Sequence, residues 1–187
     1  MKLLFIILTV LSSFLAKLEK STFKTDYIAT VEEEASSPMN YPGTITMQGR
    51  QFLLSMSGTT AAYDGKTMYM FSEETDELTL TTPTDEELVE SNPLLFAKEM
   101  SESCTVTERA SKDGQQTIIT LIPKDQSNGI NRFVLHVRNA DLTPMKVEVK
   151  ENKVVSRIVF NNPAFIPTPP SFVIEPDETT FVNDLRF

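Results

Sequence analysis

Hydrophobic and polar residues alternate along most of this chain, in short segments that are separated by turn residues. In residues 51–56 the side chains of Phe52, Leu54 and Met56 fall on one face of a predicted strand. The opposite face carries Leu53 between two polar residues, so both faces are partly apolar. A sheet backed by water alternates more strictly, and we therefore expect this strand to be covered on both sides.

Turn signals divide the alternating segments at the short spacing of antiparallel sheets. Asp64 and Gly65 predict a tight hairpin, because Gly accepts the positive φ that such a turn needs. Residues 161–170 are rich in Pro and are expected to run extended over the surface. The predicted strands are 27–34, 44–47, 51–56, 61–63, 67–72, 77–81, 104–109, 117–122, 131–138, 145–150, 154–160 and 172–174.

The periodicity changes from strand-like to helical at residue 84. Thr84 and Glu87 form a capping-box pattern that opens one short helix. Asn92 and Pro93 open a second, with Asn as the N-cap and Pro at the first helical position. The sequence therefore predicts two short amphipathic helices, at about 84–101, inside an otherwise all-β chain.

The amino terminus permits two interpretations. Lys2 and the apolar run of residues 3–11 are typical of a secretory signal, which would occupy residues 1–16 and be cleaved after Ala16. Alternatively, part of this segment is a first helix, because Leu11, Phe14, Leu15 and Leu18 fall at helical spacing. In either case residues 17–187 are expected to form a single domain.

Composition narrows the range of partners. The net charge of −9, without clusters of Lys or Arg, argues against nucleic acid and against anionic membrane surfaces. Cys104 is the only cysteine, so no internal disulfide can form, and it lies too far from the apolar run to carry a lipid anchor. We expect a monomer that diffuses in an aqueous space after export.

No constellation of residues indicates catalysis. His136 is the only histidine, and it falls within an alternating strand. The paired carboxylates lie in turns, helix starts and strand ends, where solvated charge is the usual interpretation. We therefore expect no enzyme activity, no metal and no cofactor.

The order of the segments resembles the LolA-type outer-membrane lipoprotein carriers, over residues 22–177. The resemblance rests on Gly43-Thr44-Ile45-Thr46-Met47, Arg50-Gln51-Phe52, Tyr63-Asp64-Gly65-Lys66, Asn92-Pro93-Leu94, Leu121-Ile122-Pro123-Lys124 and Phe172-Val173-Ile174-Glu175-Pro176. It implies an incomplete, open antiparallel β-barrel covered by a short helical lid. Two departures are that the chain has Tyr69 where the family has an indole, and that little room remains for the family's first helix.

The resemblance also implies a site. Arg50 matches the arginine that, in this family, hydrogen-bonds across the cavity mouth to the lid, and a guanidinium could satisfy several helix-end carbonyls there. The residues expected to line a lipid cavity are Phe52, Leu54, Met56, Met68, Met70, Leu88, Leu94, Leu95 and Phe96. Most of these would also suit an ordinary apolar core.

The implied function is a periplasmic carrier that binds the acyl chains of lipoproteins and moves them from the inner to the outer membrane. Its partners would be an inner-membrane lipoprotein-releasing ABC transporter and an outer-membrane acceptor, either a protein or the membrane. Two alternatives remain open. One is a lipid-sensing or other lipid-binding module of the same fold, and the other is an unrelated secreted β-barrel protein.

Overall fold

The structure is a computed structural model that describes residues 9–34, 36–125 and 129–186. Residues 1–8 of the predicted signal lie outside the described residues. The helices are α1 (Thr9–Lys20), α2 (Asp85–Ser91) and α3 (Pro93–Met100), followed by a 3-10 turn (Ser101–Ser103). The strands are β1 (Thr22–Glu33), β2 (Met39–Gln48), β3 (Gln51–Met56), β4 (Thr59–Tyr63), β5 (Met68–Ser72), β6 (Glu77–Thr81), β7 (Cys104–Ala110), β8 (Gln116–Pro123), β9 (Ile130–Arg138), β10 (Thr143–Glu151), β11 (Val154–Ile166) and β12 (Phe181–Asp184).

All of these strands belong to one open sheet in the order β12-β6-β5-β4-β3-β2-β1-β11-β10-β9-β8-β7. Two meanders, β1 to β6 and β7 to β11, are joined where β1 pairs with β11. Every neighbouring pair is antiparallel except β12, which adds to β6 in parallel. Since β7 and β12 are the two edges, the sheet does not close, which confirms the predicted open barrel.

One face of the sheet, which we call the inner face, carries the main apolar core. Successive strands place Phe52, Tyr63 and Met68 opposite one another on this face. All the helices pack against it: Leu11, Phe14 and Leu18 of α1 belong to the same buried cluster as the strand residues. The ring of Phe96 in α3 stacks on that of Phe133 in β9, with 5.0 Å between centroids.

The other face, the outer face, carries buried residues near β4 to β6 that are separate from the helix-covered core. Ala62 and Leu78 point to this face and are fully buried, although they are not part of the helix-covered core. Residues 167–180 run from the end of β11 to β12 at the far edge, and Phe172 within them is also buried. In β3, for which cover on both sides was predicted, the outer-face residue Leu53 is half-buried beside the fully buried Ala62, so this side is covered in part. The predicted strand at 172–174 is wrong, because that segment packs by side chain without pairing.

The remaining predicted elements are present, with β3 and β6 at the predicted bounds, β5 one residue shorter and most other strands longer. β11 continues through Ile166, so part of the predicted Pro-rich surface segment is paired with β1. The Asp64 turn forms as expected: its carboxylate accepts the backbone N–H groups of Lys66 and Thr67, and Gly65 has φ +104°. In the described part of the chain, no helix is both long and apolar enough to span a membrane.

The packing of α1 bears on how the amino terminus is processed. Cleavage after Ala16 would remove Leu11 and Phe14, whose side chains are 2% and 0% exposed. We predict that α1 is retained, so that Phe14→Ala lowers the free energy of unfolding by about 3–5 kcal/mol, the usual cost of emptying a buried Phe site. Ser13 is exposed, and Ser13→Ala is the control, expected to change stability by less than about 0.5 kcal/mol.

The measurement is denaturant unfolding of exported protein, combined with its intact mass. If Phe14→Ala protein is as stable as wild type and its mass lacks residues through Ala16, the helix is not part of the mature fold.

Candidate functional site

An apolar cavity of about 290 Å³ lies between the inner face and the junction of α2 and α3. We call it the inner cavity. Strands β1, β2, β3 and β11 form its floor, and the lid helices form its roof. It is lined by Tyr27, Ala29, Val31, Tyr41, Ile45, Leu54, Met56, Glu90, Ser91, Asn92, Pro93, Leu94, Ser156, Ile158 and Phe160.

A glycine allows the floor of this cavity to form. Gly43 pairs with Tyr27 across β1 and β2, and a Cβ added at Gly43 would lie 2.5 Å from the Tyr27 ring and 2.5 Å from the carbonyl oxygen of Ser55. The Tyr27 ring therefore lies directly over the backbone of β2. Burial raises the pKa of the Tyr27 hydroxyl, which stays neutral across the physiological range.

A buried amide stands at the junction of the two lid helices. Asn92 is 0% exposed, and its Oδ1 accepts the N–H of Leu94 at 3.1 Å, which caps α3. Its Nδ2 faces the Sδ of Met47 at 3.7 Å, a weak acceptor. Asn92 thereby connects the lid junction to β2 while lining an otherwise apolar cavity.

The lid begins as its sequence predicts. Thr84 caps α2, with its backbone N–H donating to Glu87 Oε2 at 2.7 Å and its hydroxyl accepting from the N–H of Glu87. The backbone N–H and the hydroxyl of Thr84 both donate to the Glu87 carboxylate, and these two bonds lower its pKa. Because α2 has 7 residues and α3 has 8, both are shorter than the ~12–15 residues that an isolated helix needs. Their order depends on contacts with the rest of the fold.

Arg50 contacts both lid helices from the start of the β3 hairpin. Its Nη2 pairs with Asp85 at the beginning of α2, and its Nε lies 3.4 Å from Glu99 of α3. Its partners are thus two carboxylates, where helix-end carbonyls had been expected. The hydrogen bond to Asp85 raises the pKa of Arg50.

A second ion pair joins the lid to α1. Lys98 Nζ lies 2.6 Å from Glu19 and 3.8 Å from Glu99. The backbone N–H of Gly49 donates to the carbonyl of Leu18 at 2.7 Å, which places Arg50 next to the end of α1. One network of charges therefore connects α1, the β3 hairpin and both lid helices.

The expected lining residues occupy several environments. Leu54, Met56 and Leu94 line the inner cavity, whereas Met70 lies exposed beyond it on the inner face. Phe96 lines a second cavity, described below. Four others are packed in the core, namely Phe52, Met68, Leu88 and Leu95.

Sequence reasoning did not find the part of the floor that β1 and β11 contribute. Tyr27 and Phe160 are partners across these strands, as are Ala29 and Ile158. These pairs join segments that are far apart in sequence. Alternation within each strand shows that one face is apolar, but it does not show which strand lies beside it. No feature within either segment indicates which of its residues pair.

The second cavity, of about 810 Å³, lies on the other side of the lid, against β9, β10 and β11. We call it the acidic cavity. It is lined by Asp85, Glu86, Val89, Glu90, Pro93, Phe96, Glu99, Met100, Ile130, Val149, Glu151 and Ser156. Glu90, Pro93 and Ser156 line both cavities, so the lid separates two parts of one larger space.

Neither cavity contains the chain's histidine or cysteine. His136 lies on the outer face near Gln116, and burial lowers its pKa. Cys104 is buried at the start of β7, and burial raises the pKa of its thiol. Among the described residues, no group of His, Cys, Asp and Glu side chains is arranged to hold a metal.

Comparison with known proteins identifies related sequences and folds. The family model described as outer membrane lipoprotein carrier protein LolA matches residues 60–172, more than half of the 187 residues. A search of curated proteins found no match.

Among solved structures, an uncharacterized conserved protein from Thermus thermophilus is similar, with a TM-score of 0.62 and 9% identity over 94% of this chain and 98% of that one. A LolA superfamily protein from Nitrosomonas europaea has a TM-score of 0.43 and 9% identity, over 87% and 95% of the two chains. LprF from Mycobacterium bovis has a TM-score of 0.42 and 12% identity, over 87% and 95%.

The capping box predicts a pH dependence of lid order. Because the pKa of Glu87 is lowered in the folded chain, its stabilising contribution is present above the ordinary Glu pKa of about 4.3 and is lost as the pH falls through the lower folded value. Amide exchange in α2, corrected for intrinsic rates, should therefore lose protection in acid relative to β9.

The matched variant is Glu87→Gln, since Gln also completes a capping box but does not titrate. Its α2 amides should lose less protection than those of wild type over the same acid range. Parallel curves for the two proteins would show that the capping carboxylate does not control lid order.

Proposed function

The chain belongs to the LolA family of outer membrane lipoprotein carrier proteins, and we propose that it carries the acyl chains of lipoproteins from the inner to the outer membrane. Members of this family are carrier proteins that act outside the cytoplasm, and the fold suits lipid binding. The observation that carries the proposal is the inner cavity, an apolar space between the sheet and a lid made of two short helices.

The energetics of acyl transfer explain the need for such a cavity. Each methylene removed from water is worth about 0.8 kcal/mol, so several acyl chains cannot cross an aqueous space unprotected. The inner cavity, at about 290 Å³, is at the small end of the ~300–1,000 Å³ range of ligand sites. Loading would therefore require the lid to move, and movement of its shared wall would join the inner cavity to the acidic cavity.

We assign roles to named residues within this proposal. Leu54, Met56 and Leu94 contact the acyl chain, and Met56 can adapt to chains of different shape because its thioether side chain is flexible. Arg50 acts as a latch: its two carboxylate partners lie on different lid helices, so the empty protein is held closed by contacts that loading breaks.

The proposed partners follow from the route. An inner-membrane lipoprotein-releasing ABC transporter would supply the cargo in the periplasm, and an outer-membrane acceptor would receive it. The net charge of −9 disfavours adsorption to anionic lipid surfaces, which suits a protein that must leave each membrane after a transfer.

Mass spectrometry of lipid that co-purifies with the exported protein tests the proposal directly. Protein that never contains acylated cargo would contradict it.

The first functional prediction concerns the cavity floor. Leu54→Glu should weaken binding of a fluorescent fatty acid to delipidated protein by at least about tenfold, because a carboxylate would face the acyl chain without a partner. Ile28 is 43% exposed on the outer face, and Ile28→Glu is the control with the same added charge and no expected effect. Equal affinities in both variants would place the ligand elsewhere, and circular dichroism identifies a variant that fails to fold.

The second prediction concerns the latch. Arg50→Leu should slow release of bound cargo by up to about thirtyfold, since its two ion pairs contribute roughly 0.2–1 kcal/mol each to the closed, empty state. The control is Arg132→Leu, which removes an ion pair with Glu148 on the outer face. Stopped-flow measurement of cargo transfer to vesicles gives the rates, and unchanged release by Arg50→Leu would contradict the latch.

A further inference from the structure

The acidic cavity combines an apolar floor with a ring of carboxylates. Val89, Phe96 and Met100 of the lid face Ile130 and Val149 of the sheet across it. Phe96 is 2% exposed, whereas the other four are half-buried, so these four provide the apolar surface that a ligand can contact. This part of the cavity suits an alkyl chain and offers nothing to a polar ligand.

The remaining lining is negatively charged. Five of the lining side chains are carboxylates, and none is Lys or Arg: Asp85, Glu86, Glu90, Glu99 and Glu151. The inner cavity, by contrast, has a single carboxylate, Glu90, which it shares. The charge is therefore concentrated on one side of the lid.

Two of the five carboxylates are neutralised and three are not. Asp85 and Glu99 contact Arg50. In the described parts of the chain, Glu86, Glu90 and Glu151 make no side-chain hydrogen bond or ion pair, and all three are exposed. Glu86 and Glu90 are four residues apart on α2, where like charges repel. Glu151, at the end of β10, lines the cavity from the sheet side.

We propose that the acidic cavity binds amphiphiles with a cationic head group, either a primary amine or a quaternary ammonium. The alkyl chain lies on the apolar floor and the charged head lies among Glu86, Glu90 and Glu151. The inference rests on the proposed lipid-binding function and specifies its ligand class. A cationic head neutralises the repulsion among the three carboxylates, whereas an anionic head adds to it.

The geometry also explains why a head group, and not a bare metal ion, is the expected occupant. Two of the three free carboxylates lie on α2 and the third ends β10, and no metal-holding group occurs among the described residues. A single small cation would leave the apolar floor uncovered, whereas an amphiphile covers the floor and reaches the carboxylates at once.

The test uses probes that differ only in head group. Delipidated protein is titrated calorimetrically with dodecyltrimethylammonium, dodecyl maltoside and dodecyl sulfate, each below its micelle concentration. We expect the cationic probe to bind roughly tenfold or more tightly than the anionic one at low salt. The preference should shrink as salt rises from about 0.01 M to about 1 M, where the Debye length falls from ~30 Å to ~3 Å.

Two triple variants separate local charge from net charge. Glu86→Gln/Glu90→Gln/Glu151→Gln should abolish the preference while leaving the affinity for dodecyl maltoside within about twofold. Glu74→Gln/Glu175→Gln/Glu178→Gln changes the net charge equally, at residues that line neither cavity, and should retain the preference.

The outcomes distinguish this inference from the proposed function. Equal binding of all three probes, or equal loss of preference in both triple variants, overturns the cationic head-group site and leaves a neutral lipid carrier intact. Failure of every probe to bind overturns the lipid-binding function together with the site.

Discussion

The apolar inner face of an open sheet has to be covered, and the means of covering it determines the rest of this structure. Ten of the twelve strands, β1 to β5 and β7 to β11, contribute to its buried apolar cluster, and all the described strands belong to one sheet, so helices must cover this face. α1 does so closely, with Phe14 and Leu18 fully buried. The lid does so incompletely, because two helices of 7 and 8 residues joined at Asn92 cannot fill the space above Tyr27 and Phe160. The inner cavity is the space that remains under their junction.

The forces that hold the lid differ in size. Full burial of a large apolar side chain is worth about 1.5–3 kcal/mol, and the lid buries four of them, Leu88, Leu94, Leu95 and Phe96. The Arg50 pairs involve partly exposed groups, for which about 0.2–1 kcal/mol each is typical. Apolar contact therefore keeps the lid on the sheet, and Arg50 biases a balance that it does not dominate. A ligand competes with the apolar contacts, since its chain offers the lid the same kind of surface.

Local features of the fold were predictable and non-local ones were not. The Asp64-Gly65 turn, the Thr84–Glu87 capping box and the Asn92–Pro93 helix start depend on neighbouring residues, and each is present in the structure. Phe172 shows the limit: its segment is a run of three apolar residues that favour strands, yet Phe172 is buried without strand pairing, because the chain must cross from β11 to reach β12. The cavity floor is harder still, since it depends on pairing Tyr27 with Phe160. Nothing near either residue specifies that register.

The two cavities share Glu90, Pro93 and Ser156, and this shared wall constrains how a carrier of this design can work. Loading and lid closure use the same apolar surface, so each must weaken the other by an equal free energy. Strong closure of the empty protein lowers its affinity for cargo and thereby assists delivery. If the lid bound the sheet weakly, it would compete poorly with the cargo, and the protein would bind cargo too tightly to release it. The short helices, the modest ion pairs and the weakly bonded amide of Asn92 all keep closure marginal. In the proposed carrier, a marginal lid is what makes both uptake and release possible.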